Sequence, residues 1–241
     1  MNFSLDGRRA LVTGANTGIG QAIAVGLAQA GARVTCAGRS DMTGTLAKVP
    51  GGEALQLDFA DPMAARDVFE GAGYDILVNN AGIIRRADAV DFTEQDWDAV
   101  MDVNLKAAFF TAQAFARAIF ARDGRGRIVN IASLLSFQGG IRVPPYTASK
   151  HGLAGITRIL ANEWAARGIN VNAVAPGYIE TNNTEALRAD EGRSRSILER
   201  IPAGRWGRAE DIAGAVVFLC APASDYVHGA ILNVDGGWLA R

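Results

Sequence analysis

Tyr146 and Lys150 stand four residues apart in a segment, 146–166, whose pattern reads as helix. That spacing brings two side chains to one helix face, with Cβ atoms ~5–6 Å apart. A phenol ionises near pH ~10 and is a poor base at neutrality. A neighbouring ammonium favours the phenolate and lowers that value. Such a pair can give or take an alcohol's proton while hydride moves to or from a nicotinamide. Ser133, at the end of an apolar run, could polarise a substrate carbonyl. Asn104 reads either as a buried amide bonded to backbone or as a water-holding link in a proton path through Lys150. His151 and His228 are not needed by this chemistry.

A second group of residues could hold the cofactor. Thr13-Gly14-Ala15-Asn16-Thr17-Gly18-Ile19-Gly20 follows the first apolar run. Glycines there let the backbone approach a pyrophosphate, and the helix that follows offers free N–H groups and a positive dipole end. The spacing is G-x-x-x-G-x-G, and a plain strand-to-helix turn is the alternative. The second apolar run ends Ala37-Gly38-Arg39-Ser40, with no carboxylate for a ribose 2′-hydroxyl. Arg39 could bind a 2′-phosphate or stack on adenine, so both NAD and NADP are admitted. Asp58 could accept from the adenine amino group or serve as a turn residue.

These residues need a frame, and the hydrophobic pattern supplies one. Short apolar runs at 9–13, 33–37, 53–57, 75–78, 127–132, 169–174 and 230–234 read as strands. Between them, 19–30, 61–71, 94–121, 146–166 and 209–219 read as helices. Asp61 is the expected cap and Pro62 the first-turn residue of the second. The polar stretch 178–205 carries a possible helix at 193–200 and is expected to act as a mobile lid over the substrate. The alternation predicts an α/β, Rossmann-like, doubly wound fold with a mainly parallel sheet and helices on both faces. With no linker-like run, residues 1–241 read as one dinucleotide-binding catalytic domain.

Composition narrows the partners. Basic and acidic side chains number 24 and 25, for a net charge of −1, which argues against a nucleic-acid scaffold. Only three of the basic residues are lysine: Lys48, Lys106 and Lys150. The two cysteines sit in apolar runs and form no metal-ligand pattern, so no metal is expected. The N-terminus lacks a secretory pattern, and the longest apolar stretch, 213–221, is too short to span a membrane. A cytoplasmic protein without membrane contact is expected.

Taken together, the glycine turn at 13–20, Asn79-Asn80-Ala81-Gly82, Asn104, Ser133 and Tyr146…Lys150 resemble the short-chain dehydrogenase/reductase family over nearly the whole chain. Pro176-Gly177, followed by Ile179 and Thr181, is similar to that family's nicotinamide carboxamide-binding segment. The resemblance implies a seven-stranded parallel sheet in the order 3-2-1-4-5-6-7. It also implies a homotetramer and a proton relay through Asn104, Lys150, the nicotinamide ribose and Tyr146.

Residues 80–86, 135–143, 180–188 and 201–207 resemble the family's sugar-acid dehydrogenases more narrowly, the group acting on 2-dehydro-3-deoxy-D-gluconate or 2-deoxy-D-gluconate. That implies exchange of a ketone and a secondary alcohol on a six-carbon sugar acid, often with NAD, a preference from which Arg39 departs. Ser133 and Tyr146 would meet the reacting oxygen. The substrate carboxylate is expected on Arg142, which lies between Ser133 and Tyr146, with Arg188 and then Arg205 as further choices. The alternative on the same scaffold is a 3-oxoacyl-[acyl-carrier-protein] reductase, with Arg122, Arg125 and Arg127 as a docking surface. A third reading is a cofactor-binding regulator without catalysis.

Overall fold

The apolar runs become strands because both faces of the sheet are covered, so they can be hydrophobic throughout rather than alternating. The computed structural model describes residues 2–241. Its elements run β1 (Arg9–Thr13), α1 (Gly18–Gln29), β2 (Arg33–Gly38), α2 (Thr43–Leu46), β3 (Glu53–Gln56) and β4 (Ile76–Asn79). They continue through α3 (Glu94–Met101), α4 (Ala107–Ala121), β5 (Gly126–Ile131), α5 (Pro144–Trp164) and β6 (Ile169–Pro176). The last are α6 (Glu185–Ala189), α7 (Glu191–Leu198), α8 (Ala209–Cys220) and β7 (Ile231–Val234). The strands form one sheet in the order β3-β2-β1-β4-β5-β6-β7, every pair parallel, as the resemblance implies. All residues of β4 and β6 are buried.

Two cores flank the sheet. On one face Ile23 and Leu27 of α1 and Ile212, Val216 and Leu219 of α8 pack on Val12, Val34 and Val129. On the other, Phe115 and Ile119 of α4 and Leu160 and Trp164 of α5 pack on Leu11, Leu77 and Ile128. A third, smaller cluster joins Leu134, Ile197, Ile201, Trp206 and Trp238 above the sheet's C-terminal end. Crossovers turn to one face from β1 and to the other from β4, which opens a crevice between these neighbours.

Three helix expectations change. The stretch 61–71 is a chain of turns, not a helix. Asp61 does receive the Met63 N–H, at 2.9 Å, but the following bonds are isolated i→i+3 closures, such as Arg66 to Met63 and Ala72 to Phe69. Tertiary packing holds the segment instead, with Phe69 edge-on to both Tyr74 and Phe115. The expected helix over 94–121 is interrupted by a π-helical turn, Asp102–Lys106, in which the Ala107 N–H reaches the Asp102 carbonyl. The expected lid helix falls at Glu191–Leu198, preceded by the short α6.

Because Phe69 leans on Phe115, Phe115→Ala should destabilise the protein by about 3–5 kcal/mol. Residues 61–72 should become the first site of proteolytic cleavage. Denaturant melts and mapping of early fragments check both; a first cut elsewhere would show that the turns hold themselves.

Candidate active site

The site is built at the C-terminal ends of β1, β4, β5 and β6. Thr13 closes β1 and is 2% exposed. Its hydroxyl accepts the N–H groups of Asn80 and Ala81, both at 2.9 Å, while the Asn80 amide donates to the carbonyls of Thr13 (2.9 Å) and Gly14 (3.0 Å). The glycine turn and the end of β4 are thus one hydrogen-bonded unit. Gly14 sits at a φ of +65°, and a Cβ on Gly20 would lie 2.2 Å from the Gly14 carbonyl oxygen. No side chain caps α1, and no acidic residue stands in its first turn. Its first N–H groups therefore face the cleft with a positive field and no internal competitor, which suits a diphosphate.

A cleft of about 310 Å³ runs from this turn to the catalytic residues. Gly14, Asn16, Thr17, Gly18, Ile19, Gly20, Asn80, Ala81, Gly82, Ser133, Tyr146, Lys150, Pro176, Gly177, Ile179 and Thr181 all line it. Arg39 and Asp58 line an adjoining hollow that shares Gly14, Asn16, Ala81 and Gly82 with the cleft. They face each other at 3.9 Å, both largely exposed. Together these residues form a continuous trough, basic at one end and catalytic at the other, whose shape and donors fit a nicotinamide dinucleotide.

At the catalytic end, Lys150 is 4% exposed and donates from Nζ to the Ile131 carbonyl at 2.7 Å. Burial pushes its pKa down to about 8. The Tyr146 phenol is shifted upward by burial, and the nearby Ser133 hydroxyl and Arg86 charge pull it partly back. Lys150 Nζ sits 5.5 Å from the Tyr146 ring centre and is turned to the β5 carbonyl. Ser133 is extended and accepts the Leu135 N–H at 3.1 Å. Asn104 accepts the Ile83 N–H at 2.8 Å and donates to the Ile83 carbonyl at 2.9 Å, with Ser149 Oγ at 3.4 Å. Of the two readings of Asn104, this geometry displays the backbone-bonded amide. It fastens the loop after β4 to the π turn beside the cleft.

The arginines expected on a carboxylate distribute differently. Arg142 lies outside the cleft at a φ of +65°, exposed and paired with Asp88 at 3.0 Å. Arg205 is held by both Asp211 oxygens, at 2.7 and 3.1 Å, and lines a separate cavity beneath the lid. Hydrogen bonds from the Arg205 guanidinium and the Arg208 N–H pull the Asp211 carboxyl down to about 2. Arg188 reaches the Thr181 carbonyl at 3.3 Å and so stays near the cleft mouth. The arginine whose charge reaches Tyr146 is Arg86, which also donates to the Asn183 carbonyl at 3.2 Å. Arg86 stood in the sequence beside the Asn80-Ala81-Gly82 motif, six residues beyond Asn80. Asn182, Asn183 and Thr184 also line the cleft without having been singled out.

Comparisons with known proteins agree with this geometry. A family model described as Enoyl-(Acyl carrier protein) reductase matches residues 14–239. The 2-dehydro-3-deoxy-D-gluconate 5-dehydrogenase of Escherichia coli is 54% identical, over 99% of this chain and 98% of its own. A crystal structure from Agrobacterium tumefaciens, assigned as a 2-deoxy-D-gluconate 3-dehydrogenase with bound NADP, is 72% identical with a TM-score of 0.98, covering 99% of both chains. The 3-oxoacyl-[acyl-carrier-protein] reductase FabG of Vibrio cholerae is 40% identical, over 98% of each chain.

Burial at Lys150 has a cost that can be measured. In the folded protein its proton leaves near pH 8, whereas an unfolded lysine holds it to about 10.4. Below pH 8 the buried charge lowers stability, and that penalty fades as pH rises between the two values. Lys150→Met should therefore abolish turnover yet raise stability at pH 7 by about 1–3 kcal/mol, the gain shrinking as pH climbs. Urea melts at several pH values check the sign. A less stable variant at pH 7 would mean that the bond to the Ile131 carbonyl outweighs desolvation.

Proposed function

We infer the function from a premise: the chain belongs to the short-chain dehydrogenase/reductase family. It is an oxidoreductase, and we propose that it interconverts a ketone and a secondary alcohol on a six-carbon sugar acid, of the 2-dehydro-3-deoxy-D-gluconate or 2-deoxy-D-gluconate type. The observation that carries this reading is the group of half-buried Tyr146 and Ser133 with buried Lys150 at the end of the cleft, with the Arg86 charge, bonded to the Asn183 carbonyl, beside it. The 54% and 72% identical sugar-acid relatives stand above the acyl-carrier-protein reductase at 40%, which supports the same choice.

A nicotinamide cofactor held by the glycine turn, Asn80–Gly82 and Pro176–Thr181 supplies the hydride chemistry when bound. This chain's own residues handle the proton and the substrate. Ser133 is placed to donate to the substrate oxygen, holding the carbon that changes oxidation state. Tyr146 gives its proton to that oxygen in reduction and takes it back in oxidation. Its raised pKa suits the donor role and makes base action depend on added positive charge. Lys150, buried and readily deprotonated, is suited to pass a proton onward. Asn104 anchors the loop at Ile83 beside it. We assign NADP as the favoured cofactor, since Arg39 offers a guanidinium where NAD-specific sites carry a carboxylate, and the 72% identical structure holds NADP. The reading also includes a cytoplasmic location. It includes a multi-copy assembly, supported by large apolar side chains exposed on this chain: Ile159 of α5 and Leu232 of the edge strand β7.

For the substrate carboxylate, Arg86 replaces Arg142 as the proposed anchor, with Arg188 beside it. The test is turnover of 2-dehydro-3-deoxy-D-gluconate and related keto acids with each cofactor, against an acyl thioester. Arg86→Lys loses the planar fork and should raise KM for sugar acids about tenfold while sparing a neutral ketone. Equal effects on both would remove Arg86 from carboxylate binding. Arg39→Ala should weaken NADP roughly 10- to 100-fold and NAD little, because only NADP presents a 2′-phosphate. Titration of each cofactor checks this, and equal losses would indicate stacking on adenine.

A further inference from the structure

The chain's C-terminal turn lies against three segments that the reaction needs. Asp235 shapes the turn, its carboxylate accepting the N–H groups of Gly237 at 2.8 Å and Leu239 at 3.0 Å. Against the cofactor segment the approach is so close that a Cβ on Gly177 would lie 2.6 Å from the Asp235 Cα. Against the base of the lid, the Gly236 carbonyl accepts the Ala203 N–H at 2.9 Å, and Arg241 donates to the Glu199 carbonyl at 2.7 Å.

Trp238 completes the junction. It is 4% exposed, its ring 4.8 Å from that of Tyr178 and capped by the Arg200 guanidinium at 4.0 Å. Its indole Nε1 donates to Gln138 Oε1 at 3.3 Å. Gln138 lies in the loop between Ser133 and Tyr146. One side chain therefore touches the lid's base and root and, through a single polar bond, the loop that carries the substrate-polarising serine.

We propose that Trp238 is a positioning residue, which fixes the lid against the Ser133–Tyr146 loop through Gln138 and so sets how the sugar acid lies in the cleft. An indole suits this place because it offers a wide ring to Tyr178 and Arg200 and one N–H at its edge. The inference deepens the functional reading above and rests on it for the identity of the substrate. Trp238 touches neither the phosphate-binding turn nor the Arg39 hollow, and it meets the cofactor segment only at the Tyr178 ring, which does not line the cleft as Gly177 and Ile179 do, so its influence is assigned to the substrate rather than to the dinucleotide.

The experiment uses Trp238→Phe, which keeps a ring and loses the N–H, and Gln138→Leu, which loses only the acceptor. Each should raise the sugar-acid KM roughly three- to tenfold, the range of one hydrogen bond, with the NADP dissociation constant within about twofold of the parent. The double variant should be no worse than either single, since both break one bond. Trypsin cleavage at Arg193 or Arg195 of the lid, with NADP present, should be faster in both variants. A sugar-acid KM within about twofold of the parent, or an NADP constant rising in step with KM, overturns the proposal. If the parent turns over no sugar acid, the functional reading fails separately. The lid cleavage rate then decides this one: faster cutting in both variants supports it, and unchanged cutting overturns it.

Discussion

The cleft depends on how the ends of β1 and β4 are tied together. Their parallel pairing ends at Val12 and Val78 and their connections then leave for opposite faces of the sheet, so something else must hold the ends beyond the ladder together. The buried hydroxyl of Thr13 does so, taking two successive backbone N–H groups, and the Asn80 amide returns two bonds to the glycine turn. Four polar links in a buried place hold the floor of the crevice at the separation the dinucleotide needs. Buried donors and acceptors that find partners only in this arrangement make other spacings expensive. The same clamp lets the first N–H groups of α1 stay unpaired toward the cleft, since the turn before them is held from below.

A similar economy governs the catalytic end. Lys150 is buried at the cleft's end, which costs stability while it is charged, and its ammonium donates to one β5 carbonyl. The price is met by the large cores on either side of the sheet; under α4 and α5 the apolar packing also encloses a hydrogen-bonded chain from Asn79 through Asn130 to Thr157. The π turn at Asp102–Lys106 shows the same trade on the backbone. An even α-helix from Glu94 to Ala121 would present Asn104 in a different register; the extra residue lets its amide meet both backbone groups of Ile83. Irregular helix is retained where it points a functional side chain.

What the sequence disclosed follows from how locally each feature is encoded. All seven strands were legible, the five inner ones because buried parallel strands are apolar runs bounded by glycine or a polar residue, whereas the edge strands β3 and β7 are largely exposed. The glycine turn and the Tyr146–Lys150 spacing were legible because their chemistry fixes both residue type and separation. The stretch 61–71 was not. Its helix-like cap and its Ala65 and Phe69 spacing are real, but the packing of Phe69 between Tyr74 and Phe115 decides the backbone there. The π turn left no pattern beyond an asparagine of mediocre helix propensity. Arg142 looked well placed because sequence distance to Tyr146 was short. A backbone in the left-handed region turns that side chain toward Asp88 instead, and no residue type announces such a conformation at an arginine.

These differences fall unevenly over the site. The cofactor half is held by backbone groups of contiguous motifs, and every residue expected there lies along the trough. The proposed substrate half draws on side chains at 86, 133, 146 and 183–188, with 200, 206 and 238 packed behind the segment that follows β6. Positions so far apart in the chain are brought together only by the tertiary fold, so no spacing rule finds them. Arg205 illustrates the consequence. Its charge lies in the right region of the sequence, yet the Asp211 carboxylate engages it in a bidentate pair at the start of α8, where it secures the end of the 178–205 segment. An arginine already paired on both sides of its fork has little left for a substrate, whereas Arg86 meets only a backbone carbonyl and keeps its charge directed at the phenol. Selection among arginines is therefore decided by which carboxylates the protein itself places beside them, a property of the fold rather than of the motif.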